Sequence, residues 1–293
     1  MPPRYGVRAY PTLLLLGDKD EQVHRFSGFR KPAEFVAGLE DALRRHRLYK
    51  AGEAWDEPES RPDAIADAGT VETFPAPSEE VPSGIVFLGD SLFVAQGDAL
   101  FRMDAATAEV KARHAIPASV IDLCTDGTRL YAVEYGWTAG RPIHVIDPGS
   151  GAAVREIVTE ANKANHAMGA KGVAWRDGRL WVLEGMHGRI HAVDPATGAV
   201  EKTLQTEGRW LAGLAFDGAA FVAGTREELL WIDPADGKVL RRLPVHYPLR
   251  SVEARGGAVY LLEQPVFGHD RAHRRVRVWP KRTLIHRWSP PPR

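Results

Sequence analysis

Three carboxylates recur in phase along the chain, each closing a short apolar run: Leu130-Tyr131-Ala132-Val133-Glu134, Leu180-Trp181-Val182-Leu183-Glu184 and Val259-Tyr260-Leu261-Leu262-Glu263. Gln96 and Gly224 hold the same position in two further copies of the run. Asn165, His166, His187 and Trp137 lie close by in sequence. Hard cations take oxygen ligands, and clustered carboxylates repel one another unless a positive charge, a proton or water intervenes. Glu134, Glu184 and Glu263 are therefore candidates to hold a divalent cation or a cationic ligand, with His166, His187, Asn165 and Trp137 beside them. The competing reading is structural: a repeated residue serves the repeated structure, each Glu accepting backbone N–H bonds from its own loop.

The elements that must position these groups form a repeat. A turn followed by an aromatic-bearing strand occurs five times, with the aromatic at Phe93, Tyr131, Trp181, Phe221 and Tyr260. A second turn follows in phase at Asp104-Ala105-Ala106-Thr107, Asp147-Pro148-Gly149, Asp194-Pro195-Ala196-Thr197-Gly198 and Asp233-Pro234-Ala235-Asp236-Gly237, with Trp279-Pro280-Lys281-Arg282 as a degenerate fifth. Both series step by roughly forty residues, the length of a four-stranded propeller blade. One four-stranded sheet cannot bury both faces, whereas five packed radially share a core. The expected fold is mainly β: a five-bladed β-propeller over residues 81–293. Successive strands alternate direction, so the ends of the second strands share a face with the blade-to-blade connections. Every long insertion falls on that face: Tyr135 to Arg141, Thr159 to Lys171 and Gln264 to Arg275.

The first 50 residues read differently. Leu13 to Leu16, a Gly17-Asp18-Lys19-Asp20 turn and Val23 to Phe26 make a hairpin. Pro32 then suits a first helical position, and Phe35, Val36, Leu39 and Leu43 recur at helical spacing. From Gly52 to Glu80 there are nine acids against Arg61 alone, with four prolines, so residues 51–80 read as a linker. Within it Val71-Glu72-Thr73-Phe74 could add a strand to the propeller. Arg271 to Arg293 carries eight bases and no acid; its alternation through Val276 and Val278 reads first as a strand with a basic face, which could pair with the acidic linker across the propeller closure.

Two resemblances follow from these residues. Leu180-Trp181-Val182-Leu183-Glu184 and Arg189-Ile190-His191-Ala192-Val193-Asp194-Pro195-Ala196-Thr197-Gly198 resemble the blades of NHL and YVTN-type propellers, which implies a fold over residues 81–290 and no particular activity. Residues 5–45, through Tyr10-Pro11-Thr12, Leu13 to Leu16, Phe26-Ser27-Gly28 and the helix to Arg45, resemble the second half of a thioredoxin-like α/β domain. That resemblance implies a cis proline at Pro11. The half of that fold with the Cys-x-x-Cys nucleophile is absent from this chain, and an in-frame dithiol upstream of Met1 is the expectation that would explain it. Gluconolactonase-type hydrolases are similar in placing acidic and amide ligands at a propeller channel, though with more blades. Plant-type glutaminyl cyclases are five-bladed as well, and no motif of theirs is matched here.

The remaining chemistry is sparse. The chain has 293 residues, 38 Lys plus Arg against 38 Asp plus Glu, and one cysteine. Charge balance argues against nucleic acid as a partner, and a lone Cys124 excludes a disulfide framework, a cysteine zinc site and dithiol exchange. Cys124 sits in an inner-strand run and reads as a buried hydrophobe. His269 and His273 are four apart, a spacing that on a helix could ligate zinc, but they lie in an arginine-rich loop and read first as a solvated segment. Trp137, Trp210 and Trp231 could line a ligand surface, but aromatics at strand positions read first as blade packing. No apolar run spans a membrane, and Met1 to Tyr5 leads into no secretory h-region, which gives a cytoplasmic default or an extracytoplasmic location if the start lies upstream. The functional expectation is a non-catalytic propeller, with no required cofactor, binding a protein, peptide or small molecule at the acidic mouth. The alternatives are a metal-dependent hydrolase at the same mouth and a redox protein whose dithiol half lies outside this chain.

Overall fold

The computed structural model describes residues 70–78, 80–135, 140–162, 169–225, 228–245, 249–263 and 284–290, the backbone of strands at 12–16, 22–27, 266–269 and 275–279, and helical positions 36, 40, 43 and 47. The chain divides into two compact units, Met1–Glu59 with His269–Val276 and Ser60–Gly268 with Arg277–Arg293. In the first, β1 (Thr12–Leu16) and β2 (Gln22–Ser27) form the expected antiparallel hairpin, with Leu13 opposite Phe26. Of the helical residues, Val36 and Leu43 are exposed.

The second unit contains β3 (Thr70–Pro75) and five four-stranded antiparallel sheets. The first is β4 (Pro82–Leu88), β5 (Ser91–Gln96), β6 (Ala99–Asp104) and β7 (Val110–Ala115). The second is β8 (Val120–Thr125), β9 (Leu130–Glu134), β10 (Ile143–Ile146) and β11 (Ala153–Ile157), and the third β12 (Ala170–Arg176), β13 (Arg179–Glu184), β14 (Arg189–Val193) and β15 (Val200–Gln205). The fourth is β16 (Ala212–Phe216), β17 (Phe221–Gly224), β18 (Glu228–Ile232) and β19 (Val239–Pro244). The first strands form the ring: β4 touches β8, β8 touches β12, β12 touches β16, β16 touches β20 (Leu249–Arg255), and β20 returns to β4. This is a closed five-bladed β-propeller.

The fifth sheet departs from the sequence expectation. Its order is β20, β21 (Ala258–Glu263), β24 (Leu284–Ser289), β3, so the outermost strand comes from the segment read as linker. Val71 to Phe74 does form the added strand, paired from Thr70↔Ser289 to Pro75↔Leu284. Trp279 to Arg282 is not the turn between the last two strands of the blade. It precedes the third strand, because β22 (Val266–His269) and β23 (Arg275–Trp279), which pair with each other, are inserted between β21 and β24. Closing a ring with strands from both ends of its sequence ties the first blade to the last. The acidic and basic segments do meet there, at Arg287 Nη1 and Glu72 Oε2, 2.8 Å apart and exposed.

The apolar core is five inter-sheet layers, one between each pair of neighbouring blades. The repeated aromatics explain their phase. Tyr131 of the second sheet stacks on Trp175 of the third at 5.2 Å, Trp181 of the third packs on Phe221 of the fourth at 4.9 Å, and Tyr260 of the fifth meets Phe87 of the first at 4.6 Å. The aspartates that open the turns close them locally: Asp126 accepts N–H bonds from Thr128 and Arg129, and Asp147 from Gly149 and Ser150. The turn glycine Gly198 has φ +75°, and a Cβ there would lie 2.1 Å from the Val158 carbonyl oxygen of the preceding blade, so its conformation and its docking both require glycine.

Candidate functional site at the channel mouth

Gln96, Glu134, Glu184, Gly224 and Glu263 are the last residues of β5, β9, β13, β17 and β21, and so occupy one face of the ring. Each glutamate meets a histidine of its own blade. His144 Nε2 is 3.0 Å from Glu134, His191 Nε2 3.5 Å from Glu184, and His286 Nε2 2.6 Å from Glu263. The register explains the repetition: His144 pairs with Ala132, His191 with Val182 and His286 with Leu261, each two residues before the glutamate and so on its side of the sheet. Further side chains complete two of the sites. Arg141 binds Glu134, while His187 Nδ1 lies 2.6 Å and Arg189 Nη1 3.4 Å from Glu184. Burial works against ionisation of Glu184, but the bonds from His187 and His191 and the charge of Arg189 outweigh it and hold its carboxyl below the ordinary value. His191 and His144 are both pushed down, by burial first, towards the neutral imidazole.

The hydrogen bonds described for these carboxylates come from side chains, several of them across the ladder, where the structural reading anticipated loop N–H groups. The histidines were the missed half of the pattern, although His144, His191 and His286 share one third-strand position and an alignment of third strands would have found them. In the first blade Gln96 replaces the acid and donates from Nε2 to the carbonyls of Glu80, 2.6 Å, and Ser78, 3.4 Å.

The other candidates scatter. Pro11, Trp137, Asn165, His166 and His273 lie outside the described residues, as does the side chain of His269. Cys124 is buried between the second and third blades, its thiol pushed up by burial and then by the nearby Asp122 charge. Trp231 is core, 5.7 Å from Trp288, its Nε1 donating to Asp217 at 3.1 Å. Trp210 is the opposite: it lies on the connection from β15 to β16, is 62% exposed, and has φ +58°. A bulky residue in the left-handed region is an outlier. Its neighbour Leu211 is buried and donates its N–H to the Gly185 carbonyl at 2.9 Å, which fixes the loop. Among the described residues, no group of three or more His, Cys, Asp or Glu is arranged to hold a metal ion.

Below the mouth the channel is filled. At one ring position of the first strands stand Gly84, Asp122, Gly172, Gly213 and Ser251. The small residues bring backbones together: a Cβ on Gly172 would lie 2.6 Å from Leu214 N, and one on Gly84 3.0 Å from Asp122. One side chain occupies the space they leave. Asp122, fully buried, accepts N–H bonds from Val173 at 3.0 Å and Leu214 at 3.1 Å, and the Ser251 hydroxyl donates to it at 2.6 Å. A single carboxyl of the second blade thus joins the third, fourth and fifth. Burial pushes it up to about 7, against the pull of those three bonds. Half-buried Glu253 on β20 is also raised, by burial and then by the Asp122 charge.

On the mouth side of that plug a cavity of about 260 Å³ opens between the first, second and fifth blades, lined by Glu80, Ser83, Ser119, Tyr135 and Arg250 among others.

A family model described as outer membrane protein assembly factor BamB, PQQ_2, matches residues 52–209, more than half of the chain. No curated protein matches. Among solved structures, the glutaminyl cyclase of Myxococcus xanthus is 15% identical with a TM-score of 0.57, over 74% of this chain and 93% of that one. Hydrazine synthase of Kuenenia stuttgartiensis (18% identical, TM-score 0.42, 70% and 63% covered) and BamB of Moraxella catarrhalis (13%, 0.37, 72% and 84%) are similar more distantly. The likeness to the cyclase is one of fold. The family is a PQQ-type one and not the NHL or YVTN family that the turns resemble, and its match begins at residue 52, beyond the thioredoxin-like resemblance of residues 5–45.

Proposed function

The chain belongs to the PQQ_2 family, described as outer membrane protein assembly factor BamB, and on that footing we propose that its propeller is a non-catalytic binding module that takes a protein or peptide on the face around the channel mouth. The observation that carries the reading is Trp210: a large aromatic, 62% exposed in a left-handed conformation, on the face where the long connections gather. Exposed aromatics held rigidly on loops are the usual anchors of protein interfaces, and strained backbone persists where the surroundings impose it. Tyr135, 42% exposed at the end of β9, adds a second aromatic on that face. The opposite face carries tight turns, at Gly89-Asp90, Asp177-Gly178 and Gly256-Gly257.

The mouth glutamates support binding over catalysis. A hydrolase using Glu134, Glu184 and Glu263 as metal ligands would require each to leave its in-blade histidine. Saturable stabilisation by Ca²⁺, Mg²⁺, Mn²⁺ or Zn²⁺ that is lost on changing these residues would favour that alternative. The thioredoxin-like resemblance enters only as a proposal for residues 5–45, supported by the β1–β2 hairpin.

Photo-crosslinking tests the reading. A photoreactive residue at position 210 or 135, in the chain expressed in its own host, is expected to give a discrete protein adduct that the same residue at Asp177 does not give. Identical adducts from position 177, or none from 210 and 135, would refute it.

A further inference from the structure

In all five blades the ladder between the first and second strands slips at the same place: between Pro82 and Gly84, Val120 and Asp122, Ala170 and Gly172, Ala212 and Ala215, and Leu249 and Ser251. A bulge of this kind inserts a residue and re-aims its side chain. In four blades the skipped residue is Ser83, Ile121, Lys171 or Arg250, each one step towards the mouth from the level of the Asp122 plug, while in the fourth blade the slip takes in Gly213 and Leu214. Two of the skipped residues are cations. We propose that Lys171 and Arg250 form an oxyanion site at the channel mouth, which receives a carboxylate or phosphate group of a ligand.

Neither Lys171 nor Arg250 is fully exposed, and neither forms an ion pair or a side-chain hydrogen bond with a described residue. Arg250 Nε is buried without a hydrogen-bond partner. Burying a cation is costly unless a counter-charge meets it. Among the described acids of the mouth, Glu134 and Glu184 meet Arg141 and Arg189, Glu263 meets His286 through Oε1 while its Oε2 has no hydrogen-bond partner, Asp122 is held in the plug, and none forms an ion pair with Lys171 or Arg250. Glu80 also lines the cavity, but it is exposed and not within ion-pair distance of either cation. The two cations also sense each other. Burial first, and then the charge of Arg250, hold Lys171 below the ordinary lysine value, and burial lowers Arg250 as well. An oxyanion entering the cavity that Arg250 lines would supply an acceptor for Nε and would offset the charge that Arg250 places on Lys171.

The site lies on the face where we place the partner, but the inference does not depend on that partner. Thermal unfolding of the full chain tests it, at constant ionic strength in chloride with inorganic phosphate or malonate added, the two anions separating a phosphate from a carboxylate preference. The expected result is a saturable rise in Tm with at least one anion. Its apparent affinity should fall at least tenfold in Lys171→Met and in Arg250→Met and stay unchanged in Lys238→Met on the opposite face. No saturable rise in the wild type, or an equal one in the mouth variants, overturns the proposal. A second readout needs no anion: Lys171→Met alone should leave Tm unchanged or raise it, because it removes an uncompensated charge. A fall of several degrees would mean that Lys171 is held by the fold, and would overturn the proposal as well.

Discussion

Asp122→Asn should abolish a pH dependence that the wild type carries. The carboxyl is completely buried and sits at about 7 against the ordinary aspartate value of 3.8. Between those values the folded chain holds a proton that the unfolded chain has released, so stability falls as pH rises through the window and is fully retained only below it. A rise of about three units at ~1.4 kcal/mol each makes the loss roughly 4 kcal/mol, a large part of the ~5–15 kcal/mol typical of a folded domain. Asparagine keeps an oxygen for the Val173 and Leu214 amides and turns an N–H towards the Ser251 hydroxyl, which can accept. The variant should lie within about 1 kcal/mol of wild type at pH 5, about the net worth of one hydrogen bond, and be the more stable protein at pH 8. Urea unfolding at pH 5, 6, 7 and 8 measures this. Glu253 is raised in the same direction, partly by Asp122, so the difference between variant and wild type is the informative quantity. Equal pH slopes for the two proteins, or a wild type whose stability does not change from pH 5 to 8, would refute the assignment of the plug.

Glu184→Gln leaves the His187, His191 and Arg189 donors short of a charged acceptor and should cost about 1–3 kcal/mol in urea unfolding. The carboxyl is held below its ordinary value, so its contribution is present above the unfolded value and lost as pH falls through the folded one, and variant and wild type should converge in acid. Gly198→Ala and Gly178→Ala share a positive φ, near +75°, but only Gly198 would place its Cβ against a neighbouring blade. Gly178→Ala should cost about 1 kcal/mol and Gly198→Ala clearly more, as separate thermal melts would show; equal losses would mean that the turn does not dock.

Much of this was legible in the chain because it repeats. The aromatics at 93, 131, 181, 221 and 260 and the Asp-Pro turns gave blade number and strand order, since turn chemistry is local and the repeat multiplies a weak signal. Glu134, Glu184 and Glu263 fell into line for the same reason. Asp122 did not, because it interrupts a repeat: only against Gly84, Gly172, Gly213 and Ser251 does a lone acid in an apolar strand become the occupant of a space that its counterparts vacate. The fifth blade was misread at its third strand because the insertion between β21 and β24 displaced the phase, and the outermost strand is far away in sequence. Lys171 and Arg250 were invisible because their placement depends on a slip in the ladder. Trp210 read first as packing, and its exposure and backbone conformation distinguish it from the buried Trp231.

The closure of the fifth blade also sets an order of events at the ribosome. Glu72 on β3 and its partner Arg287 on β24 are 215 residues apart, which at about 5–20 residues per second is roughly 10–40 s of synthesis. Throughout that interval β3 has no partner, and the fifth sheet cannot assemble until elongation is nearly over. Blades one to four can form as they emerge, but the ring stays open with two bare inter-sheet layers at the gap. A ribosome stalled in the last blade would therefore display a C-shaped, apolar-edged intermediate, and it is there that chaperone demand for this chain should be greatest.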